Sequence, residues 1–394
     1  MQNLTLKNFL GIEHANVRLD GLTVLIGPQA SGKSVVARLF YFCNEYFADF
    51  DELALMKNEH KKTYDSRKKE DFYKIFPPYS WTSDHFEILY ENESHSLEIV
   101  SKKGSATVEI RTSDSVAQAF RSAKKSFQEF SKSFEDNAIH SPSRILREFR
   151  RQQPDTLFQL RHEHALFVPA SRSFYSTIRE EIFSILSIDE KIDQIIMQFG
   201  EFYETAKYRM MIEADRNRPI DSREQVFRKY FDTIIKGRFS KVDDRDFIQM
   251  ERGRIELSKA SSGQQEALPL LVALTYFPQP NRTLIIEEPE AHLFPTAQAT
   301  ILDFIVSQTL EQRCDMLFTT HSPYMLTSLN NFILRNLAGK SGGIEQEKVN
   351  AYSLNLGETV SIVDQETGLV SADYIDEVSE NIEAEFTELM DIFT

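Results

Sequence analysis

The sequence contains little cysteine, little glycine and no apolar run long enough to cross a membrane. Its two cysteines, Cys43 and Cys314, cannot form a disulfide framework, and neither belongs to a C-x-x-C pair. This usage suits a reducing compartment and argues against a zinc site. The longest apolar run, residues 268–277, is too short for a bilayer, and residues 1–20 lack the charged-then-apolar pattern of a secretory signal. We therefore expect a cytoplasmic protein with no membrane association.

The sequence also lacks a net positive charge, because 60 Asp and Glu residues outnumber 45 Lys and Arg residues and give a formal net charge of −15. Such a charge argues against a surface built throughout as a nucleic-acid clamp, although a local basic groove remains compatible with it. Residues 113–153 are a candidate, since this polar stretch has a helical pattern interrupted by Pro142. Its basic residues are Arg121, Lys124, Lys125, Lys132, Arg144, Arg147, Arg150 and Arg151.

Residues 27–34 read G-x-x-x-x-G-K-S, the pattern of a phosphate-binding loop. A short apolar run, residues 22–26, precedes this loop, and a helical pattern follows it, which is the strand–loop–helix setting that the motif requires. Backbone N–H groups of such a loop converge on phosphate oxygens. The sequence thus predicts a nucleoside triphosphate site, with an ordinary glycine turn as the alternative. Its residues are Gly27, Gln29, Ala30, Ser31, Gly32, Lys33 and Ser34, of which Lys33 supplies a charge and Ser34 a ligand to Mg²⁺.

Four apolar or β-branched residues, 283–286, lead directly into Glu287 and Glu288. This pattern predicts a buried strand with a charged tip, although a plain strand-to-turn junction gives the same pattern. An ATP hydrolase needs one carboxylate for the metal ion and another for the attacking water. We expect Glu287 to support Mg²⁺ and Glu288 to orient or deprotonate the nucleophile.

Two further segments complete the predicted site. His321 follows another strand-like run, residues 316–320, and strand ends of this kind carry the ligands of parallel sheets. We therefore expect His321 to reach the γ-phosphate, while a structural histidine is the alternative. Ser261, Ser262, Gly263 and Gln264 precede a helical pattern and predict a second anion-binding helix terminus, or a simple cap by Ser262.

The order of patterns predicts an α/β protein with five segments. Residues 62–73 are dominated by charge and are predicted to be a solvated loop. The predicted segments are 1–112, with the phosphate loop and an antiparallel β meander; 113–160, a basic helical insertion; 161–175, a return strand; 176–240, a second helical insertion; and 241–394, with the remaining motifs, a hairpin turning at 252–253 and a C-terminal helix.

Together these motifs resemble the ABC-class, AAA-type ATPases of the SMC, RecF and OLD group. Residues 27–34 match the Walker A loop, residues 284–288 resemble Walker B, and residues 261–264 resemble the signature S-G-G-Q. Residues 291–294 fall at the D-loop position, and His321 matches the switch histidine. The resemblance implies an ABC-type ATPase head, with a mixed sheet around the phosphate loop, that binds ATP and Mg²⁺.

Shorter runs resemble particular branches of this group. Residues 8–11 resemble the N-F-x-G opening of RecF-like proteins. Residues 287–293 read E-E-P-E-A-H-L, which is similar to OLD-like prokaryotic defence ATPases such as those of the PARIS and Septu systems, and residues 169–172 resemble another of their motifs. Glu287 stands where most ABC proteins have Asp, and Ser262 stands where the signature has its first Gly, so a register shifted by one residue stays open.

The resemblance also implies partners. Relatives of this kind bind ATP between two subunits, so Ser261 to Gln264 would act in trans and the protein would be a homo-oligomer. The acids after His321 have helical spacing and no Toprim pattern, which favours a stand-alone ATPase that senses a signal for a separate effector, such as a nuclease. The alternative is a RecF- or SMC-like repair ATPase whose basic stretch grips duplex DNA. Arg172 is either nucleotide-sensing, partner-facing or part of a structural ion pair.

Overall fold

The computed structural model describes residues 1–101, 104, 106–132, 141–152, 164–177, 193–214, 222–243, 245–355, 357–371 and 383–390. The strands are β1 (Gln2–Phe9), β2 (Ile12–Leu19), β3 (Leu22–Ile26), β4 (Glu87–Asn92), β5 (Ser96–Ser101), β6 (Val108–Thr112), β7 (Ala165–Val168), β8 (Arg238–Val242), β9 (Arg245–Met250), β10 (Gly253–Glu256), β11 (Thr283–Glu287), β12 (Asp315–Thr320), β13 (Val349–Asn355) and β14 (Glu358–Ser361). The helices are α1 (Lys33–Ala48), α2 (Lys61–Ile75), α3 (Asp114–Lys132), α4 (Pro142–Gln152), α5 (Phe174–Thr177), α6 (Gln194–Ala214), α7 (Ser222–Ile234), α8 (Ser262–Tyr276), α9 (Pro295–Gln312), α10 (Pro323–Leu337) and α11 (residues 383–390). Within these ranges, no helix combines the length and apolarity needed to cross a bilayer.

Eleven of the described strands form one mixed sheet, in the order β6-β5-β4-β1-β2-β14-β13-β3-β12-β11-β7. Strands β13, β3, β12, β11 and β7 pair in parallel, whereas β2, β1, β4, β5 and β6 pair antiparallel. Strands β3, β7 and β11 are buried along their whole length, as expected for parallel strands with both faces covered. The predicted α/β class with a mixed sheet is confirmed.

Two hydrophobic cores lie on opposite faces of this sheet. Side chains of a strand alternate between its faces, so that Leu25 of β3 joins the core that contains α1, while Val24 and Ile26 join the core that contains α8. The other parallel strands follow the same alternation, since Ile285 packs with the first core and Ile286 with the second. The sheet is therefore held by apolar contacts on both faces and leaves its polar groups at the strand ends.

Several local predictions are confirmed. The phosphate loop lies between β3 and α1, the antiparallel meander is β4 to β6, and the hairpin turns at residues 252–253 between β9 and β10. The meander pairs with β1 and so extends the large sheet. The hairpin gains a third strand, β8. Residues 383–390 are helical and exposed, while the rest of the predicted C-terminal helix lies outside the described residues, as does the whole stretch 178–192.

The prediction of a solvated loop over residues 62–73 is wrong, because α2 spans Lys61–Ile75. Its buried residues are Tyr64, Lys68 and Phe72, spaced four apart along one face. The central one, Lys68, bonds the carbonyl oxygen of Glu45 (2.9 Å) and the carboxylate of Asp49. Because the buried position in the middle of this face is a lysine, the sequence shows no continuous apolar pattern, and the helix cannot be recognised from its periodicity.

A buried network of neutral side chains lies at the amino end of the parallel strands. Gln2 Nε2 donates to Thr283 Oγ1 (3.0 Å), and Gln2 Oε1 accepts from Asn44 Nδ2 (2.9 Å) and Tyr90 OH (3.1 Å). Thr283 Oγ1 in turn donates to Asn44 Oδ1 (3.2 Å). At the border of this network, Asp315 Oδ1 accepts from the backbone N–H of Gly21 (2.9 Å). The network joins β1, β4, α1 and β11, and we call it the amino-end cluster.

Candidate functional site

The carboxyl ends of four parallel strands meet at one edge of the sheet. The register pairs Ile26 of β3 with Thr320 of β12, and Glu287 of β11 with Thr319. Strand β7 ends beside β11, where Val168 pairs with Ile286. The segments that follow these strands therefore emerge side by side, and such strand ends are where ligands bind in open α/β sheets.

The loop after β3 has a backbone that small residues alone accommodate. Gly27 has a φ of 154°, and a Cβ there would lie 2.2 Å from the carbonyl oxygen of Leu354. Gly32 has a φ of 100° and is the N-cap of α1, so that no side chain caps this helix. The first N–H groups of α1 are consequently left for an outside acceptor, which is the arrangement that binds anions.

Lys33, the first residue of α1, is 6% exposed and folds back over the loop. Its Nζ donates to the carbonyl oxygens of Gly27 (2.9 Å) and Pro28 (2.7 Å). Burial lowers the pKa of Lys33, and the nearby acids Glu288 and Glu290 oppose this shift. The ammonium thus lies within the loop, against its carbonyl oxygens, next to the start of α1. The loop residues with exposed side chains are Gln29, Ala30 and Ser34, while Ser31 is half-buried.

Two of the predicted acids differ sharply in exposure. Glu287 ends β11 and is 8% exposed, whereas the Glu288 side chain is 42% exposed. Glu288 has a φ of 44°, and its N–H donates to the carbonyl oxygen of Thr319 (3.1 Å). Because of this left-handed turn, the Glu288 carboxylate lies beside the histidine that follows β12, with 3.6 Å between Glu288 Oε1 and His321 Nε2. Glu288, which is predicted to activate the nucleophile, and His321, which is predicted to reach the γ-phosphate, therefore lie side by side.

Arg172 is fully buried, which excludes a partner-facing role for it in this conformation. Its Nη1 and Nη2 donate to the carbonyl oxygens of Glu287 (2.8 Å) and Glu288 (3.0 Å). Its Nε donates to the carbonyl oxygen of Glu266 (3.0 Å) and lies 3.4 Å from that residue's carboxylate. Burial lowers the pKa of Arg172, while Glu266 and the acids after β11 favour its charged form. Arg172 therefore ties the end of β11 to α8.

The segment of residues 261–264 begins α8, and its N-cap is Ser261 rather than the predicted Ser262. Ser261 Oγ accepts from the N–H of Gln264 (3.4 Å), and Gln264 Oε1 accepts from the N–H of Ser261 (3.2 Å), which forms a capping box. A Cβ at Gly263 would lie 2.9 Å from the carbonyl oxygen of His292, so this segment abuts the loop after Glu288. Ser261 and Ser262 are exposed.

The structure thus brings together part of the predicted set. The phosphate loop, Glu287, Glu288 and His321 share one edge of the sheet. Among the described residues, the side-chain hydrogen bonds of Ser261 and Gln264 run to each other and to the carbonyl oxygen of Ile235, and none reaches the phosphate loop. Sequence reasoning missed Glu266 and Glu290, although Glu290 is the third acid of the run that begins at Glu287.

Comparisons with known proteins agree with a nucleotide-binding domain. Residues 22–327, more than three quarters of the chain, match the family described as "AAA domain, putative AbiEii toxin, Type IV TA system". A comparison with curated proteins finds no match.

Three solved structures show a distant likeness in fold. One is an Smc head bound to the C-terminal winged-helix domain of ScpA, at 11% identity and a TM-score of 0.44, covering 95% of this chain and 98% of that one. Another is the Pyrococcus furiosus Smc head with an extended coiled coil and the C-terminal domain of ScpA, at 13% identity and a TM-score of 0.43, covering 97% and 100%. The third is the SMC head of Thermotoga maritima, at 10% identity and a TM-score of 0.36, covering 91% and 97%. Likenesses at this level support no statement about activity or partners.

Proposed function

Because this chain belongs to the AAA domain family whose description names a putative AbiEii toxin of a type IV TA system, we propose that it is an ATPase that binds and hydrolyses ATP with Mg²⁺. The observation that carries the proposal is the register of β3, β12 and β11, which sets the phosphate loop, His321 and Glu288 at one edge of the sheet. Acids and a histidine grouped beside an uncapped helix terminus match the needs of phosphoryl transfer to water.

Each group then has a defined task. The N–H groups of residues 27–34 and the ammonium of Lys33 hold the phosphates. Ser34 and Glu287 suit Mg²⁺, because both are oxygen donors and the Ser34 side chain is exposed at the start of α1. When bound, the metal ion would neutralise part of the negative charge of the phosphates. Glu288 accepts a proton from the attacking water, and His321 donates a hydrogen bond to the γ-phosphate.

The test is nucleotide binding and phosphate release by the purified chain, with and without Mg²⁺. We expect Mg²⁺-dependent release of phosphate, and loss of ATP binding in Lys33→Ala because the buried ammonium is removed from the loop. An unchanged rate in Lys33→Ala, or a wild-type chain that neither binds nor hydrolyses ATP, overturns the proposal.

We further propose that Ser261, Ser262, Gly263 and Gln264 close over the ATP of a neighbouring subunit. In support, Ser261 and Ser262 are exposed at the start of α8, and their hydrogen bonds within the described residues do not reach the chain's own phosphate loop. The test mixes two inactive variants, Lys33→Ala and Ser262→Arg. Partial recovery of hydrolysis supports a site shared between subunits, and failure of every such mixture argues for a site within one chain.

The proposed output is regulation of a separate effector, such as a nuclease, in prokaryotic anti-phage defence. This rests on the resemblance of residues 287–293 to OLD-like defence ATPases of the PARIS and Septu kind, and on the family description, which names a TA system. It includes a cytoplasmic location, in line with the scarce cysteine. The product of the neighbouring gene should co-purify with the chain in an ATP-dependent manner, and its absence from such preparations counts against the proposal.

A second candidate is DNA binding of the RecF or SMC kind. It is favoured by α4, on which Arg144, Arg147, Arg150 and Arg151 are all exposed while Phe149 is buried. Binding through these groups should weaken steeply as salt is raised. Charge reversal of Arg147, Arg150 and Arg151 should abolish it, whereas salt-insensitive binding or none at all removes this candidate.

A further inference from the structure

Glu290 lies between the two loops of the proposed site. Its side chain is 9% exposed, and its Oε1 accepts two hydrogen bonds, from Thr320 Oγ1 (2.7 Å) and from the backbone N–H of His321 (2.9 Å). Its Oε2 is buried and has no hydrogen-bond partner among the described residues. One carboxylate oxygen thus carries both contacts to the segment that presents His321.

The surrounding bonds make this contact part of a closed ring. Thr320 Oγ1 also accepts from the N–H of Ser322 (3.0 Å), and Ser322 Oγ donates to Gln298 Oε1 (2.6 Å). Gln298 Nε2 donates to the carbonyl oxygen of Leu293 (2.9 Å), which lies in the loop that contains Glu290. The loop after β11 and the loop after β12 are therefore joined at two points, on either side of His321.

Stability alone does not account for a carboxylate at this position. A buried acceptor without a partner destabilises the folded state, and native structures contain few such groups. The charge of Glu290 faces the cations Lys33 and Arg172, which places it in the field of the phosphate loop. A charged acceptor also holds an N–H more strongly than a neutral one.

We propose that Glu290 is a positioning residue, which fixes the His321 backbone through Oε1 and so keeps the imidazole beside Glu288 at the distance that hydrolysis needs. The inference rests on the proposed ATPase function. The 3.6 Å separation between His321 Nε2 and Glu288 Oε1 is the geometry that Glu290 maintains. Glu290 itself need not touch ATP, since its contacts run to Thr320 and to the backbone of His321.

The kinetic test compares Glu290→Ala, His321→Ala and the double variant. We expect Glu290→Ala to lower kcat by on the order of 10²-fold, the cost of a misplaced group, with KM for ATP nearly unchanged. The double variant should be no slower than His321→Ala, because the two changes act through one group. Additive losses, or an unchanged kcat in Glu290→Ala, overturn the proposal.

Two milder variants separate the hydrogen bonds from the charge and guard against a variant that does not fold. Glu290→Gln keeps an acceptor for the N–H of His321 and should retain most of the activity, while Thr320→Val removes one of the two donors and should lose part of it. Glu290→Gln as slow as Glu290→Ala shows that the negative charge acts directly, which contradicts a positioning role. Glu311→Ala, an exposed acid on α9, is the control and should match the wild type.

A readout that does not need hydrolysis separates this proposal from the proposed function. The imidazole ¹H–¹⁵N signals of His321, assigned by their loss in His321→Ala, should shift in the same direction in Glu290→Ala and in Glu288→Gln. This result supports positioning even in a chain that releases no phosphate. Signals that move in Glu288→Gln but stay in place in Glu290→Ala refute the positioning role.

Discussion

Polar side chains gather at both ends of the parallel strands, but the two clusters differ in charge and exposure. The amino-end cluster is neutral and buried, and Gln2, Asn44 and Thr283 hydrogen bond to one another within it. The charged groups at the carboxyl ends of the strands form a second cluster, which we call the carboxyl-end cluster. Their exposure ranges from the fully buried Arg172 to the half-exposed Glu288. Strand β11 contributes to both clusters, since it begins with Thr283 and ends with Glu287, so the sheet alone does not explain the difference.

The comparison separates neutral hydrogen-bonded groups, which are sufficient to stabilise a fold, from buried charged groups, which a reaction requires. A neutral network with paired donors and acceptors stabilises a fold at modest cost, because each bond contributes about 0.5–1.5 kcal/mol. Buried charges are expensive and contribute little net stability even when paired. A cluster that holds Lys33, Arg172 and several acids, with one buried carboxylate oxygen of Glu290 unpartnered among the described residues, is therefore better explained by chemistry than by stability.

The largest expected effect at the carboxyl end is on turnover. Glu288→Gln should lower ATP hydrolysis by on the order of 10²–10⁴-fold, the range for loss of a general base, and should hold the chain in its ATP-bound, associated state. Its urea midpoint should not change, because the side chain is 42% exposed. Phosphate release, size-exclusion chromatography with ATP and urea unfolding measure the three quantities.

The matched control is Glu311→Gln, which changes an exposed acid near the opposite end of the strands. It should leave all three measurements at the wild-type value. If hydrolysis is unchanged in Glu288→Gln, Glu288 has no catalytic role, and the contrast between the two ends loses its main support.

The next effect is on stability. Arg172→Met should lower the free energy of unfolding by about 3–5 kcal/mol, because the buried carboxylate of Glu266 loses its counter-charge and the carbonyl oxygens of Glu287 and Glu288 lose their donors. Urea unfolding of the purified variant measures the change.

Two further variants define this effect. Arg172→Met combined with Glu266→Gln should recover part of the loss, since Gln removes the buried charge and keeps one acceptor oxygen, although only one of the two backbone N–H groups, those of residues 172 and 173, can bind it. Arg254→Met removes an exposed cation over the Phe247 ring and should cost about 1 kcal/mol or less. An Arg172 variant as stable as the Arg254 variant contradicts the proposed tie between β11 and α8.

The edge at the carboxyl ends of the parallel strands was largely predictable from local sequence, because β3 and β11 are short apolar runs next to a glycine-rich or acidic segment. Residues 22–26 and 283–286 carry this pattern, and the structure has β3 and β11 there. The contacts of Arg172 with Glu266 and of Glu290 with His321 were not predictable. They join residues far apart in sequence or in separate loops, and no local periodicity reports such pairs.

The amino-end cluster was missed for a related reason. Gln2, Asn44 and Thr283 are ordinary polar residues in sequence, and their partnership follows from the order of strands in the sheet. Helix α2 was missed because Lys68 interrupts its apolar stripe. The sequence therefore predicted the groups that belong to a recognisable local motif. It did not predict those whose role depends on contacts with residues distant in the sequence.

A smaller effect tests whether the amino-end cluster is only structural. Asn44→Leu should lower the free energy of unfolding by about 1–3 kcal/mol, because the buried Thr283 hydroxyl loses its acceptor and Gln2 Oε1 loses one of its two donors. The rate of ATP hydrolysis per folded molecule should stay within a factor of about two, because the substitution changes the stability of the fold and not the groups at the carboxyl end. A loss of turnover without a loss of stability would show that this end takes part in the reaction, and would remove the contrast.

The smallest expected effect concerns Asp315, an acid beside the amino-end cluster, and depends on pH. Burial raises the pKa of Asp315 above its ordinary value of 3.8, although the N–H of Gly21 opposes the shift. The folded state therefore binds this proton more tightly than the unfolded state, so its contribution to stability is present below pH 3.8 and is lost as pH rises through the raised pKa. Asp315→Asn keeps an acceptor for the N–H of Gly21, loses the long contact of Gln2 Nε2 with Oδ2 (3.5 Å) and removes the charge, so it should gain on the order of 1 kcal/mol over the wild type at neutral pH.

This gain should vanish toward acidic pH, where the wild-type carboxyl is protonated in both states. Urea unfolding of both proteins at a series of pH values from acidic to neutral measures the difference. Because Asp315 is far along the strands from His321, the gain should leave ATP hydrolysis unaltered. A difference that is constant with pH assigns the effect to packing rather than to charge, and the amino end would then hold no group whose charge opposes folding.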